Sequence, residues 1–228
     1  PVSSREDLFR FYSHFCGRKK AFEVFENFLA SDKNILWFYA RPGFGKTAFS
    51  SMLCWNYPDA IGAIHFCKFN NSDRTNSKII FTSIAYHLSN FIPEYKTKLI
   101  NLPDLDTIFE KNASRILEYL ILEQLYDIHL SKPVVIILDA LDECSWRGEN
   151  EICDILQRAY RNNEIPSWLK FVITSRNEAE IRRYLLPVSQ VSDALEVTSE
   201  DDLREYYHKQ FPNINEETVS RLLSKSEG

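Results

Sequence analysis

Short apolar runs alternate along the chain with longer segments whose apolar residues recur at helical spacing. That alternation predicts βαβ units and a mostly parallel sheet. Five runs read as strands: NILWFYA (Asn34 to Ala40), AIGAIHFCKF (Ala60 to Phe69), PVVIILDA (Pro133 to Ala140), LKFVITS (Leu169 to Ser175) and ALEVT (Ala194 to Thr198). VVIIL and FVIT are unbroken β-branched stretches, as expected of strands covered on both faces. Between them, RKKAFEVFENFLAS places Phe22, Phe25, Phe28 and Leu29 on one helical face. KTAFSSMLCW, SKIIFTSIAYHLSNF, ASRILEYLILEQLYDIHL, EICDILQRAYRNN and EAEIRRYLL also read as helices. A last one, SEDDLREYYHKQF, opens on Ser199 with Asp202 three residues on, a box-like start. Asn70 to Ser77 reads as a polar loop, and Pro93 to Lys111 as irregular because of Pro93 and Pro103.

Chemistry gathers at the strand ends. WFYARPGFGKTAFS, Trp37 to Ser50, leaves a predicted strand and enters a predicted helix through Gly45, Lys46 and Thr47. Such a junction turns backbone amides and the positive end of a helix toward an anion. The phosphate-loop pattern is G-x-x-x-x-G-K-[ST]. Here Ala40 stands where its first glycine belongs. If that position needs positive φ, alanine is strained by about 1 kcal/mol. Arg41, Pro42, Gly43, Phe44, Gly45, Lys46, Thr47 and Ala48 are the expected nucleotide-binding set, with Lys46 on the β- and γ-phosphates and Thr47 on Mg²⁺. VVIILDALDEC then ends a buried strand in Asp139, a second candidate Mg²⁺ ligand. Asp142 and Glu143 come next, either able to orient or deprotonate an attacking water. FVITSR ends a third strand in Thr174, Ser175 and Arg176, and Arg176 can stabilise charge on a γ-phosphate.

Composition narrows the reading. A chain of 228 residues holds one large domain, or one with a small appendage. The net charge of -5, with no basic stripe, disfavours a nucleic-acid partner. Cys16, Cys54, Cys67, Cys144 and Cys153 show no paired spacing and read as free thiols in a reducing compartment, hence a cytoplasmic expectation. No apolar run is long enough to span a membrane. The five histidines are scattered; His65 and Cys67 share a strand face and read as core. The chain starts at Pro1 and stops just after a helix-like run, so it is expected to be a piece of something longer.

Taken together, the GKT loop, Asp139-Ala140-Leu141-Asp142-Glu143 and the Thr174-Ser175-Arg176 strand end resemble the NACHT family of STAND P-loop ATPases. Upstream, FCGRKKAFEVF resembles the segment that lines the adenine pocket in that class, which puts Gly17 and Arg18 near the base. The resemblance implies a three-layer α/β fold with a five-stranded parallel sheet in the order 5-1-4-3-2. It further implies an NTPase domain over residues 1–198 and the start of a helical module over 199–228. The implied activity is that of a switch: it binds ATP or ADP with Mg²⁺, hydrolyses slowly, and controls self-association and other protein contacts. The winged-helix region that contacts bound ADP in that family is not in this sequence, so weaker nucleotide binding than in an intact protein is expected. A nucleotide-free scaffold on the same fold is the alternative, with Ala40 as a mark of decay. A GTPase lacks its base-reading motif here, and the small residue after Asp139 disfavours a processive motor.

Overall fold

A computed structural model describes residues 17–225, apart from 104, 195 and 198. In chain order it runs α1 (Lys19–Ala30), β1 (Ile35–Tyr39), α2 (Lys46–Asn56), β2 (Ile61–Phe66), α3 (Ser72–Thr75), α4 (Ser77–Phe91) and α5 (Pro93–Ile100). A 3₁₀ turn (Leu105–Glu110) leads to α6 (residues 113–125), β3 (Val134–Asp139), a second 3₁₀ turn (Leu141–Cys144), α7 (Glu151–Arg161) and β4 (Leu169–Ser175). The chain continues through α8 (Ala179–Leu185), β5 (Gln190–Asp193), α9 (Glu200–Gln210) and α10 (Glu216–Lys225).

The five strands form one sheet in the order β2-β3-β4-β1-β5, and every pairing is parallel. Read from the other edge, this is the expected 5-1-4-3-2. Side-chain alternation splits the strands between two cores. Ile35, Trp37, Ile136, Leu138, Phe171 and Ile173 join α4, α6, α7 and α8 on one face. Leu36, Phe38, Val135, Ile137 and Val172 face α1 and α2 on the other, against Phe25, Phe28, Phe49 and Leu53. The layers are therefore the product of period-2 strands and one-sided helices.

A buried cation ties two layers together. Lys170 on β4 is 2% exposed, and its Nζ donates to the carbonyl oxygens of Ser31 (2.7 Å) and Lys33 (2.6 Å). The ammonium thus ties the end of α1 to the sheet, while burial lowers its pKa.

Three expectations need correcting. Among the described residues the last strand is Gln190–Asp193, and Ala194, Glu196 and Val197 of the expected strand Ala194 to Thr198 lie in turns. Gln190 to Asp193 pair with Leu36 to Tyr39 at the sheet edge, where only Ser192 is buried. An edge strand with one inward side chain leaves no apolar signature, so the more apolar ALEV looked like the better candidate. Leu195 and Thr198 of that stretch lie outside the described residues. Second, Pro93 starts a helix rather than breaking one, because it occupies the first turn of α5, where no amide donor is needed. Third, the polar loop holds the single-turn α3, capped by the Asn71 side chain, and Asn76 caps α4.

Helix α6 widens to a π turn over Leu117–Leu122. The buried Tyr95 hydroxyl donates to the Leu120 carbonyl (2.7 Å), and Gln124 Nε2 donates to that of Tyr119 (3.0 Å). Side chains thus take up carbonyls in the widened ladder. Among the described residues, no helix is long and apolar enough to cross a membrane. Cys54, Cys67, Cys144 and Cys153 are free thiols; Cys16 lies outside the described residues.

Candidate functional site

Three central strands, β1, β4 and β3, end at the same edge. Register puts Tyr39 beside Ser175, and Leu138 beside Ile173. The loop 40–45 after β1, the acidic turn after β3 and Arg176 after β4 are therefore brought together. This is where ligands bind open parallel sheets.

Between β1 and α2 the chain turns tightly. Gly43 (φ 83°) and Gly45 (φ 67°) adopt left-handed conformations that a side chain would resist. Ala40 does not; the four described non-glycine residues with positive φ are Arg18, Ala140, Arg147 and Asn163. Ala40 is buried, and its amide donates to the Ser175 carbonyl (3.1 Å). So the residue replacing the first loop glycine still completes β1–β4 pairing, and the anticipated strain is not there.

Gly45 is the N-cap of α2 and offers no side chain to its first amides. Those amides and the helix dipole remain directed at the loop mouth. Lys46 Nζ donates to the carbonyls of Ala40 (2.9 Å) and Arg41 (3.3 Å), and burial lowers its pKa against the pull of Asp142 and Asp139. Arg41, Pro42 and Gly43 are exposed, while Phe44 and Ala48 are half-buried.

Asp139 is 1% exposed at the end of β3 and accepts from three hydroxyls. Thr47 Oγ1 donates to its Oδ2 (2.7 Å), while Ser50 Oγ (2.6 Å) and Thr174 Oγ1 (2.7 Å) donate to its Oδ1. Burial raises its pKa; the three hydroxyls and the Lys46 charge oppose that. Thr174 Oγ1 also accepts the Ala140 amide (2.9 Å), which helps fix the left-handed turn at Ala140 (φ 55°).

The acidic pair after the turn divides. Asp142 is buried, and its carboxylate accepts the Arg176 amide (3.0 Å) and lies 3.3 Å from Arg176 Nε. The Arg176 side chain is half exposed and reaches Glu178 at 3.8 Å. Glu143 turns the other way and accepts the Phe69 amide (2.8 Å). Gly17 and Arg18 stand across the loop: Arg18 Nη2 donates to the Phe44 carbonyl.

Every candidate read from the sequence thus lies around one strand edge, with Thr47 and Asp139 in direct contact. Sequence reasoning missed Ser50, which lies three residues after Thr47 and so shares its helical face. It placed Asp202 only in the helix start after Ser199 and missed its contact with the Arg18 amide. The Thr47 hydroxyl and the Asp139 carboxylate are hard oxygen donors of the kind Mg²⁺ takes, and the bare amides of α2 suit phosphate.

Comparison with known proteins agrees with this architecture. The family model described as Nephrocystin 3, N-terminal matches residues 20–176, from α1 through Arg176. Among solved structures, Cdc6p from Pyrobaculum aerophilum is similar, with a TM-score of 0.50, 14% identity, and coverage of 85% of this chain and 48% of that one. A Walker-type ATPase of Pyrococcus abyssi gives a TM-score of 0.52 and 12% identity, with 91% of this chain and 61% of the other covered. At these identities the likeness is one of fold, that of the P-loop NTPases, and this chain spans only part of either protein's length. No curated protein matches.

Proposed function

The chain belongs to the Nephrocystin 3, N-terminal family, and from that premise we propose that it is the nucleotide-binding switch domain of a larger signalling protein, of the NACHT type within the STAND ATPases. The observation that carries the reading is the Thr47–Asp139 contact at 2.7 Å beside Lys46, at the mouth of an uncapped helix. A decayed loop would have no use for a buried carboxylate surrounded by hydroxyls.

In this reading the amides of residues 43–48 bind the phosphates of ATP or ADP. Lys46 exchanges its carbonyl partners for phosphate oxygens, at little cost because its charge is already partly desolvated. Thr47 and Asp139 would hold Mg²⁺, which neutralises phosphate charge when bound. Asp142 orients Arg176 toward the γ-phosphate. Glu143 is the candidate base for the attacking water once its carboxylate leaves the Phe69 amide and turns back toward the loop, and slow hydrolysis resets the switch. Gly17 and Arg18 border the base. Contacts made only to the γ-phosphate distinguish the ATP and ADP states and thereby control self-association. We assign residues 1–198 to the NTPase domain and 199–228 to the start of a helical module, and place the protein in the cytoplasm.

The deciding experiment compares Mg-ATP and Mg-ADP binding by the wild-type chain and Lys46→Ala, using titration and thermal melting. Wild type should bind and be stabilised, and the variant should lose both. Equal behaviour of the two chains would sink the assignment and favour a nucleotide-free scaffold.

A further inference from the structure

We propose that Asp202 is a positioning residue for the nucleotide site, tying the start of α9 to the phosphate loop through Arg18. The proposal rests on the nucleotide reading above and adds a route by which the segment after the sheet sets affinity.

Asp202 stands where two distant parts of the chain meet. Its Oδ2 accepts the Ser199 amide (2.9 Å), and Ser199 Oγ accepts the Asp202 amide (3.1 Å). Together these close the capping box that begins α9. Its Oδ1 accepts the Arg18 amide at 2.5 Å, across 184 positions of sequence. One carboxylate therefore caps α9 and α1 at once. Burial works against its ionisation, but the amides of Ser199, Arg18 and Lys19 and the Ser199 hydroxyl outweigh it and hold the pKa below the usual carboxylate range.

Gly17 makes the approach possible. A Cβ there would stand 2.7 Å from Asp202 Cβ and 2.9 Å from its Cα, a clash with the backbone that no rotamer relieves. Gly17 (φ 70°) and Arg18 (φ 64°) are two consecutive left-handed residues. For arginine that conformation is uncommon and needs outside support. Here the support comes from Asp202. The turn sends the guanidinium onto the loop, where Nη2 donates to the Phe44 carbonyl. A Cβ built on Gly45 would lie 3.2 Å from the same nitrogen.

The contacts thus run from Ser199 and Asp202, through the Arg18 backbone and side chain, to Phe44 and Gly45. A nucleotide that engages this loop and the docked state of α9 favour each other, and such coupling acts in both directions. Asp202 lies outside the 20–176 region that matches the family model, so the coupling extends the site beyond it.

The test is a double-mutant cycle on Mg-ADP affinity with wild type, Arg18→Ala, Asp202→Ala and the combined variant, alongside hydrogen exchange at residues 199–203. Each single change should weaken binding about tenfold, within the range of coupled sites. The double variant should be no weaker than the worse single one, because Asp202 acts through Arg18. Mg-ADP should slow exchange at 199–203 in wild type and not in Arg18→Ala. Additive losses, tighter binding in either variant, or protection that survives Arg18→Ala would overturn the proposal. If Asp202→Ala does not fold, Asp202→Asn takes its place in the cycle. Its single acceptor oxygen can serve only one of the two helix starts, so a loss non-additive with Arg18→Ala is expected and an additive one overturns it. Failure of the nucleotide reading itself would look different: wild type would then bind Mg-ADP no better than Lys46→Ala.

Discussion

The Asp139 carboxylate, almost fully buried, accepts from Thr47, Ser50 and Thr174, and its pKa is nevertheless raised by burial. Holding that charge costs the fold stability, as sites built for a ligand often do. Asp139→Asn should therefore leave the nucleotide-free chain within about 1 kcal/mol of wild type, or above it, since the hydroxyls can turn to meet an amide. Stabilisation by Mg-nucleotide should be lost. Denaturant melts with and without Mg-ADP measure both parts; a large loss of ligand-free stability with intact Mg-dependence would contradict the site. Ala40 gives a second residue-scale expectation. Its φ is not positive and its side chain is buried. Ala40→Gly should cost about 0.5–1 kcal/mol through the unfolded chain's added freedom. It should not tighten nucleotide binding, and a tighter Kd would show that the missing glycine does matter.

At the scale of elements, Val134 of β3 and Leu88 of α4 crowd β2 so closely that Gly62 has no room for a side chain. A Cβ there would lie 2.6 Å from Val134 Cγ1 and 2.9 Å from Leu88 Cδ2. Gly62→Ala should destabilise the chain by about 1–3 kcal/mol through overpacking, read as a lower urea midpoint. The outcome that would refute the close packing is an unchanged or higher midpoint. A glycine inside a strand is itself a signal of close approach, so this feature could have been read from AIGAIHF. Elsewhere, too, legibility depends on burial. Buried elements such as β3 and β4 announce themselves because both faces are apolar. Edge strand β5 does not, with one buried side chain among Gln190, Val191, Ser192 and Asp193. Helix α5 was hidden by Pro93, whose meaning depends on whether it falls in a first turn or an interior. Thr47 and Asp139 could be matched by motif and chain order. Asp202 could not, because its contact with Arg18 depends on how α9 returns to α1 in space.

For the whole molecule, sheet order decides which groups meet, and the same folding leaves two histidines partly out of water. His65 on β2 has Nε2 3.1 Å from the Arg74 carbonyl, and burial lowers its pKa. Burial also lowers that of His87 on α4. In both cases the fold prefers the neutral ring. Below the unfolded value of about 6.5 the unfolded chain takes up protons that the folded chain refuses, so stability falls as pH falls. The decline levels off once pH drops below the folded values. Melting midpoints should therefore decrease between about pH 7.5 and about pH 5.5. Asp139, with its raised pKa, pulls in the opposite direction, since its folded form holds a proton more readily. Comparing wild type with His65→Gln removes that contribution, because both chains keep Asp139. Glutamine can still donate to the Arg74 carbonyl but does not titrate. The variant should therefore show a shallower decline, with His87 supplying what remains. Parallel curves for the two chains would mean that His65 is not held neutral and that β2 meets Arg74 of α3 differently.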